Sequence, residues 1–136
     1  MAALALAGLT LLLDQFSKAL AVQHLPLGVS MAFLPGVLRL QRVGNSGAAF
    51  SLLSGNSAPL SLLSASVCAG LILWLLRHPP QSLWQTLGFG CLLGGAAGNG
   101  LDRLRLGGVV DFLELVPIHF PIFNLADVAI NLAVLC

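Results

Sequence analysis

Apolar residues run almost without a break from Ala2 to Val22, interrupted by Asp14 and Lys18. A run of roughly 20 such residues is what a helix needs to cross a hydrocarbon layer about 30 Å thick. The acid and the base stand four apart with the acid first, so on a helix they share a face and neutralise each other. A rival reading, a cleaved leader ending at Ala19-Leu20-Ala21, lacks the basic residues that should precede the apolar run. From His24 to about Asn56 the pattern changes. Pro26, Pro35 and several glycines divide it into short pieces, and the partial alternation from Val37 to Val43 predicts a short sheet or extended loop. Pro59 opens a second apolar block that ends near Leu76, where Arg77-His78-Pro79-Pro80 forces a tight turn between two antiparallel spans. The third block, Leu83 to about Gly100, holds GFGCLLGGAAGNG, whose glycines let neighbouring helix backbones approach closely. The same glycines fail as a phosphate loop, because no Lys-Ser/Thr follows them. From Arg103 to Pro121 the pattern is mixed, with GGVVDF suggesting an extended piece and Pro117 and Pro121 excluding a long helix. The last block, Phe123 to Cys136, would reach about 21 Å as a helix, short of the hydrocarbon thickness.

Composition narrows the class. The 136 residues fit one domain, 1–136, and they are 57% hydrophobic with only 8% charged. So few charges cannot coat a compact particle in water, and so many apolar residues cannot stay disordered, which leaves an integral membrane protein. A net charge of +1, no Tyr and no basic cluster exclude a nucleic-acid partner. Cys68, Cys91 and Cys136 show no CxxC spacing, and His24, His78 and His119 have no partner three or four residues away, so no metal site is expected.

Chemistry therefore falls to the five carboxylates, Asp14, Asp102, Asp111, Glu114 and Asp127, all in or beside apolar segments. Ionisable groups in such places are expensive, so each needs a function or a partner. Asp102 is adjacent to Arg103, which favours a structural ion pair. Asn99 shares their face of the third helix, while Asn124, Asp127 and Asn131 share a face of the last. Asp111, in Val109-Val110-Asp111-Phe112-Leu113, has no adjacent cation. Should it fold against Asp127, the two would share one proton and divide the work of acid and base as aspartic proteases do. The alternative has Asp111 capping a turn and Asp127 bonding between helices. Ser17-Lys18 is weak as a nucleophile and base, since adjacent helix residues point about 100° apart.

Four blocks in order, DQFSK at Asp14 to Lys18, NSGAAFS at Asn45 to Ser51, GNGLDRLRLGGVVDF at Gly98 to Phe112 and FPIFNLAD at Phe120 to Asp127, resemble lipoprotein signal peptidase, or signal peptidase II, a bacterial aspartic peptidase family. The resemblance implies an all-α integral membrane protein of four transmembrane helices with a small extracytoplasmic β-element and both termini in the cytoplasm. It makes Asp111 and Asp127 the catalytic pair. Asn45, Gly47, Ala48, Asn99, Arg103, Asn124 and Ala126 match positions around the family's site, and Asp14, Lys18 and Asp102 match its supports. It implies no cofactor. The expected substrate is a prolipoprotein bearing diacylglyceryl-cysteine, cut before that cysteine by a monomer among the lipids of the bacterial inner membrane, with the site facing outward. An extended loop from Arg39 to Ser51 is placed to close over it. The positive-inside count opposes this orientation, because Arg77 alone faces Arg39, Arg42, Arg103 and Arg105. With so few charges the resemblance is followed. Members of the family usually continue through the fourth helix beyond the point where this chain stops. From another class, a small proton-coupled transporter or channel subunit would use Asp14, Asp102 and Asp127 as a relay. A noncatalytic assembly factor would use only the small-residue helix faces.

Overall fold

The structure, a computed structural model, describes residues 1–47, 58–118 and 120–136. The elements are helix α1 (Ala2–His24), strands β1 (Ser30–Leu34) and β2 (Leu38–Asn45), helices α2 (Ala58–Arg77) and α3 (Leu83–Leu106), strand β3 (Val109–Leu115) and helix α4 (Leu125–Val134). Burial is inverted relative to a protein in water. On α1, Leu12 and Phe16 are 68% and 65% exposed, while Asp14 and Lys18 on the inner face are 0% and 3% exposed. Only lipid makes that arrangement favourable, so this is a membrane protein with its polar groups turned inward. Among the described residues, α1 and α2 are long and apolar enough to cross a membrane. α3 is equally long but ends on Asp102, Arg103 and Arg105, and α4 has ten residues, about 15 Å at 1.5 Å per residue.

α3 is the axis on which the other helices pack, and its glycines make this possible. A Cβ on Gly90 or Gly94 would strike Leu6 or Thr10 of α1. One on Gly95 would strike the Ala126 carbonyl and Ile130 of α4, and one on Gly100 would strike Ser64 of α2. Small residues thus face three different neighbours along one helix, which the glycine-rich block predicted in kind though not in direction. α3 also runs past Gly100, where the apolar pattern ends. Its polar last turn finds partners inside the bundle, and it stops only at Gly107, whose φ of 73° and N–H bond to the Arg103 carbonyl form a left-handed cap.

The β-element predicted from the broken segment is a three-stranded antiparallel sheet in the order β1-β2-β3. Pro35 and Gly36 turn β1 into β2: Pro35 presets its own φ, Gly36 takes φ 77°, and Val37 N–H closes on Leu34 O at 3.0 Å. This is the residue choice of a type II turn. Residues 39–45, expected within a loop able to close, are instead held in β2 between two strands. β3 then receives the segment before α4, with Leu113 N–H and Phe123 N–H exchanging carbonyls at 2.8 and 3.0 Å. That pairing holds Phe123 out of the last helix and carries the start of α4 to Asp111.

Candidate active site

Asp111 lies on β3 opposite Val43 of β2, and Asn45 lies opposite Val109. Side chains alternate along a strand, so Asn45 and Asp111 are diagonal neighbours on one face. Asn45 Nδ2 donates to Asp111 Oδ2 at 3.0 Å. Its amide cannot be reversed, because Asn45 Oδ1 accepts the Gly47 N–H at 3.0 Å and a backbone N–H can only donate.

Asn124 and Asp127 open α4 as a reciprocal capping box. Asn124 Oδ1 accepts Asp127 N–H at 3.0 Å, and Asp127 Oδ2 accepts Asn124 N–H at 3.1 Å. This fixes the second amide, whose Nδ2 donates to Asp111 Oδ1 at 2.6 Å. One residue therefore touches both candidate aspartates, through its side chain on Asp111 and its backbone on Asp127. The remaining Asp127 oxygen accepts Asn99 Nδ2 at 2.8 Å. Asn124 is fully buried and Asp111 nearly so, whereas Asp127 also lines an adjoining cavity of about 270 Å³ with Asp111, Arg103 and Phe120. Burial pushes the Asp111 carboxyl up to about 6, the nearby Asp127 charge adds to this, and the Asn45 and Asn124 amides and the Lys18 charge partly offset it.

Behind this pair lies a second group of charges. Lys18 Nζ is 2.8 Å from Asp14 Oδ2, as the spacing in α1 predicts, and 3.0 Å from Asp102 Oδ2. The expected Asp102–Arg103 pair does not form. Consecutive helical residues diverge by about 100°, so Asp102 faces α1 while Arg103 turns toward the site, its Nη2 donating to Gly47 O at 3.3 Å. Among the described residues Arg103 Nε is buried without a partner. Ser17 and Lys18 do not meet, because the Ser17 hydroxyl donates to Asp14 O at 2.8 Å. Ala126 is wholly buried, and its N–H donates to Asp14 Oδ1 at 2.9 Å.

The structure thus brings Asn45, Gly47, Asn99, Arg103, Asp111, Asn124 and Asp127 to one place, with Asp14, Lys18, Asp102 and Ala126 behind them. Ala48 lies outside the described residues, as does the rest of its block to Ser51. Gln15 had been given no role, yet its Nε2 bridges Asp14 Oδ2 at 3.2 Å and Asp102 Oδ1 at 2.8 Å. An amide beside an acid in an apolar helix was the available signal. Among the described residues no group of three His, Cys, Asp or Glu is arranged to hold a metal ion.

What the arrangement can do follows from its asymmetry. Asp14 and Asp102 each have a cation in contact, but among the described residues neither Asp111 nor Asp127 does. Two unpaired carboxylates around a cavity can share a proton and act as an acid and base. The family model of signal peptidase (SPase) II matches residues 6–136. A lipoprotein signal peptidase of Parasynechococcus marenigrum is 54% identical over 133 residues, covering 98% of this chain and 84% of that protein. One from a Synechococcus species is 55% identical over 134 residues, covering 98% and 88%. Two bacterial membrane enzymes solved by the in meso method, each 27% identical and covered by 98% of this chain, superpose with TM-scores of 0.90 and 0.86 over 82% and 87% of their own chains. With motifs, fold and relatives in accord, the chain belongs to the signal peptidase II family of membrane peptidases.

Proposed function

We propose that this protein is a membrane aspartic endopeptidase that removes the signal peptide from prolipoproteins, cutting before the diacylglyceryl-cysteine. The observation that carries the reading is Asn124, which holds Asp111 and Asp127 at one cavity while among the described residues no cation forms an ion pair with either. Asp127, open to the cavity, takes the proton of the attacking water. Protonated Asp111 hydrogen-bonds to and polarises the scissile carbonyl; as the C–N bond breaks, Asp127 passes the proton it took to the leaving amine and Asp111 keeps its own, so both groups are restored. Arg103, whose buried Nε has no partner among the described residues, holds a backbone carbonyl of the substrate. All four helices lie in the bacterial inner membrane and the sheet on its outer side, so the acyl chains stay in hydrocarbon while the scissile bond reaches water. Two of the four arginines that opposed this orientation are already engaged: Arg42 Nη1 donates to the last-turn carbonyl of Val22 at 2.6 Å, and Arg103 lies in the site. A transport relay gains nothing from the relatives, and two of its members, Asp14 and Asp102, are bound to Lys18.

The direct test is incubation of the purified protein with a diacylglyceryl-modified precursor, with and without an acyl-peptide inhibitor of the family. An inhibitable release of signal peptide is expected. An uncut precursor alongside ion-dependent flux in vesicles would favour transport instead.

The acid–base assignment also fixes a pH dependence. The acid must be protonated, so kcat/KM falls as pH rises through about 6, where Asp111 ionises in the free enzyme. The charged groups acting on Asp111 are Asp127 from α4, Arg103 from α3 and Lys18 from α1. Replacing Asn45 with Ala removes a donor that favours the ionised form. Asp111 then holds its proton to higher pH, and the alkaline limb shifts upward. A limb that stays in place in Asn45→Ala would remove Asp111 from the acid role.

A further inference from the structure

The Lys18 ammonium uses its three N–H donors on three acceptors, Asp14 Oδ2 at 2.8 Å, Asp102 Oδ2 at 3.0 Å and Asn99 Oδ1 at 3.0 Å. What those acceptors do with their remaining capacity is not random. Asp14 Oδ1 accepts the N–H of Ala126, the residue before Asp127, at 2.9 Å. Asp102 Oδ2 accepts the N–H of Val110, the residue before Asp111, at 3.2 Å. Each acid bound to Lys18 thus grips the backbone one step ahead of one aspartate of the pair. Asn99 completes the set. Because Lys18 can only donate, it fixes Asn99 Oδ1 toward itself and aims Nδ2 at Asp127 Oδ1, 2.8 Å away. Asn124 Nδ2, at 3.2 Å from the same Asn99 oxygen, supports that orientation.

We propose that Lys18 is a positioning residue for peptide cleavage: through Asp14, Asp102 and Asn99 it sets the separation of Asp111 and Asp127 and the direction of the amide that faces Asp127. The proposal rests on the aspartic-pair reading above. Lys18 touches no reacting atom and donates no proton to substrate. Without its charge, two carboxylates packed against each other repel, α3 shifts on α1, and the two backbone anchors move apart. The Asn99 oxygen also loses the shorter of its two donors, so the amide facing Asp127 is held less firmly. A displacement on the order of 1 Å at a catalytic group costs roughly 100-fold in rate.

The test uses the full chain purified in detergent and a diacylglyceryl-modified precursor. Lys18→Met is expected to lower kcat by roughly 100-fold while KM stays within about three-fold, since substrate contacts persist. The loss of positive charge also moves the alkaline limb of the pH profile upward, as Lys18 favours the ionised form of Asp111. An effect on fold alone would lower the active fraction without moving that limb. Should Lys18→Met not fold, the neutral triple variant Asp14→Asn, Lys18→Met, Asp102→Asn replaces it, because it keeps an acceptor for each anchored N–H but leaves the Asn99 oxygen with only the longer bond from Asn124. A reduced kcat supports the proposal, accompanied in Lys18→Met by the shifted limb. Wild-type kcat, a change confined to KM, or failure of both variants to fold overturns it. Asp111→Asn and Asp127→Asn run alongside keep the two readings separable. If these remain active the aspartic pair is wrong, whereas if they are inactive and Lys18→Met is not, only the positioning role falls.

Discussion

Asp111→Asn and Asp127→Asn each reduce signal-peptide release on the order of 10⁴-fold, the scale on which loss of one member of a catalytic unit acts. The amide has nearly the carboxylate's shape but can neither take a proton from water nor give one to a leaving amine. Little else should change. In Asp127→Asn the side-chain oxygen can still accept the Asn124 N–H that closes the start of α4, and the cost is the bond from Asn99 Nδ2, about 1 kcal/mol. In Asp111→Asn the oxygen can keep one of its two amide donors, Asn45 or Asn124, and losing the other costs about 1 kcal/mol. Cleavage of a lipidated precursor followed on gels, with helical content read by circular dichroism, separates chemistry from fold. Full activity in either variant, with normal folding, would reject the aspartic pair.

Gly95→Ala is expected to cost stability at the contact between α3 and α4. Its Cβ would stand 2.6 Å from the Ala126 carbonyl and 2.8 Å from Ile130 Cγ1. Ile130 has some freedom to move, but a backbone carbonyl does not. α4 must therefore shift away from α3, and overpacking of this kind costs roughly 1–3 kcal/mol. Asp127 follows Ala126 directly, so the displacement reaches the site and activity declines with stability. Gly70→Ala in α2 is the control, since among the described residues a Cβ there meets nothing within 4 Å and Ala favours a helix by about 1 kcal/mol. Thermal unfolding in detergent should fall for the first and hold or rise for the second. Equal stability of Gly95→Ala and the parent would mean that the α3–α4 contact is looser than described.

How much of this was legible depended on whether the signal was local. The Asp14–Lys18 pair follows from a spacing of four, and the turn at Pro35-Gly36 from residue type, so both could be read directly. Asp102 was assigned to Arg103 because sequence displays neighbours along the chain. Its true partner is set by the glycine face of α3, which decides the rotation of that helix against α1. The apolar run of the third block stops near Gly100 while α3 goes on to Leu106, because polar residues close an apolar run but not a helix that supplies them with partners. The pairing of Asp111 with Asp127 remained one of two readings on residue patterns alone, and only the family resemblance joined them. The capping box that joins them physically is local, from Asn124 to Asp127. Its second function, an amide turned onto β3, depends on strand pairing at Phe123 that no spacing announces.

Asp14 and Ala126 are 112 positions apart in sequence, yet one hydrogen bond ties the first helix to the last. A ten-residue helix is marginal on its own, so α4 takes part of its start from a side chain of α1. The polypeptide is fastened into a ring with its reactive groups at the clasp. Neither half of the molecule is a module that could be borrowed without the other, and the working centre comes into being only when the ring closes.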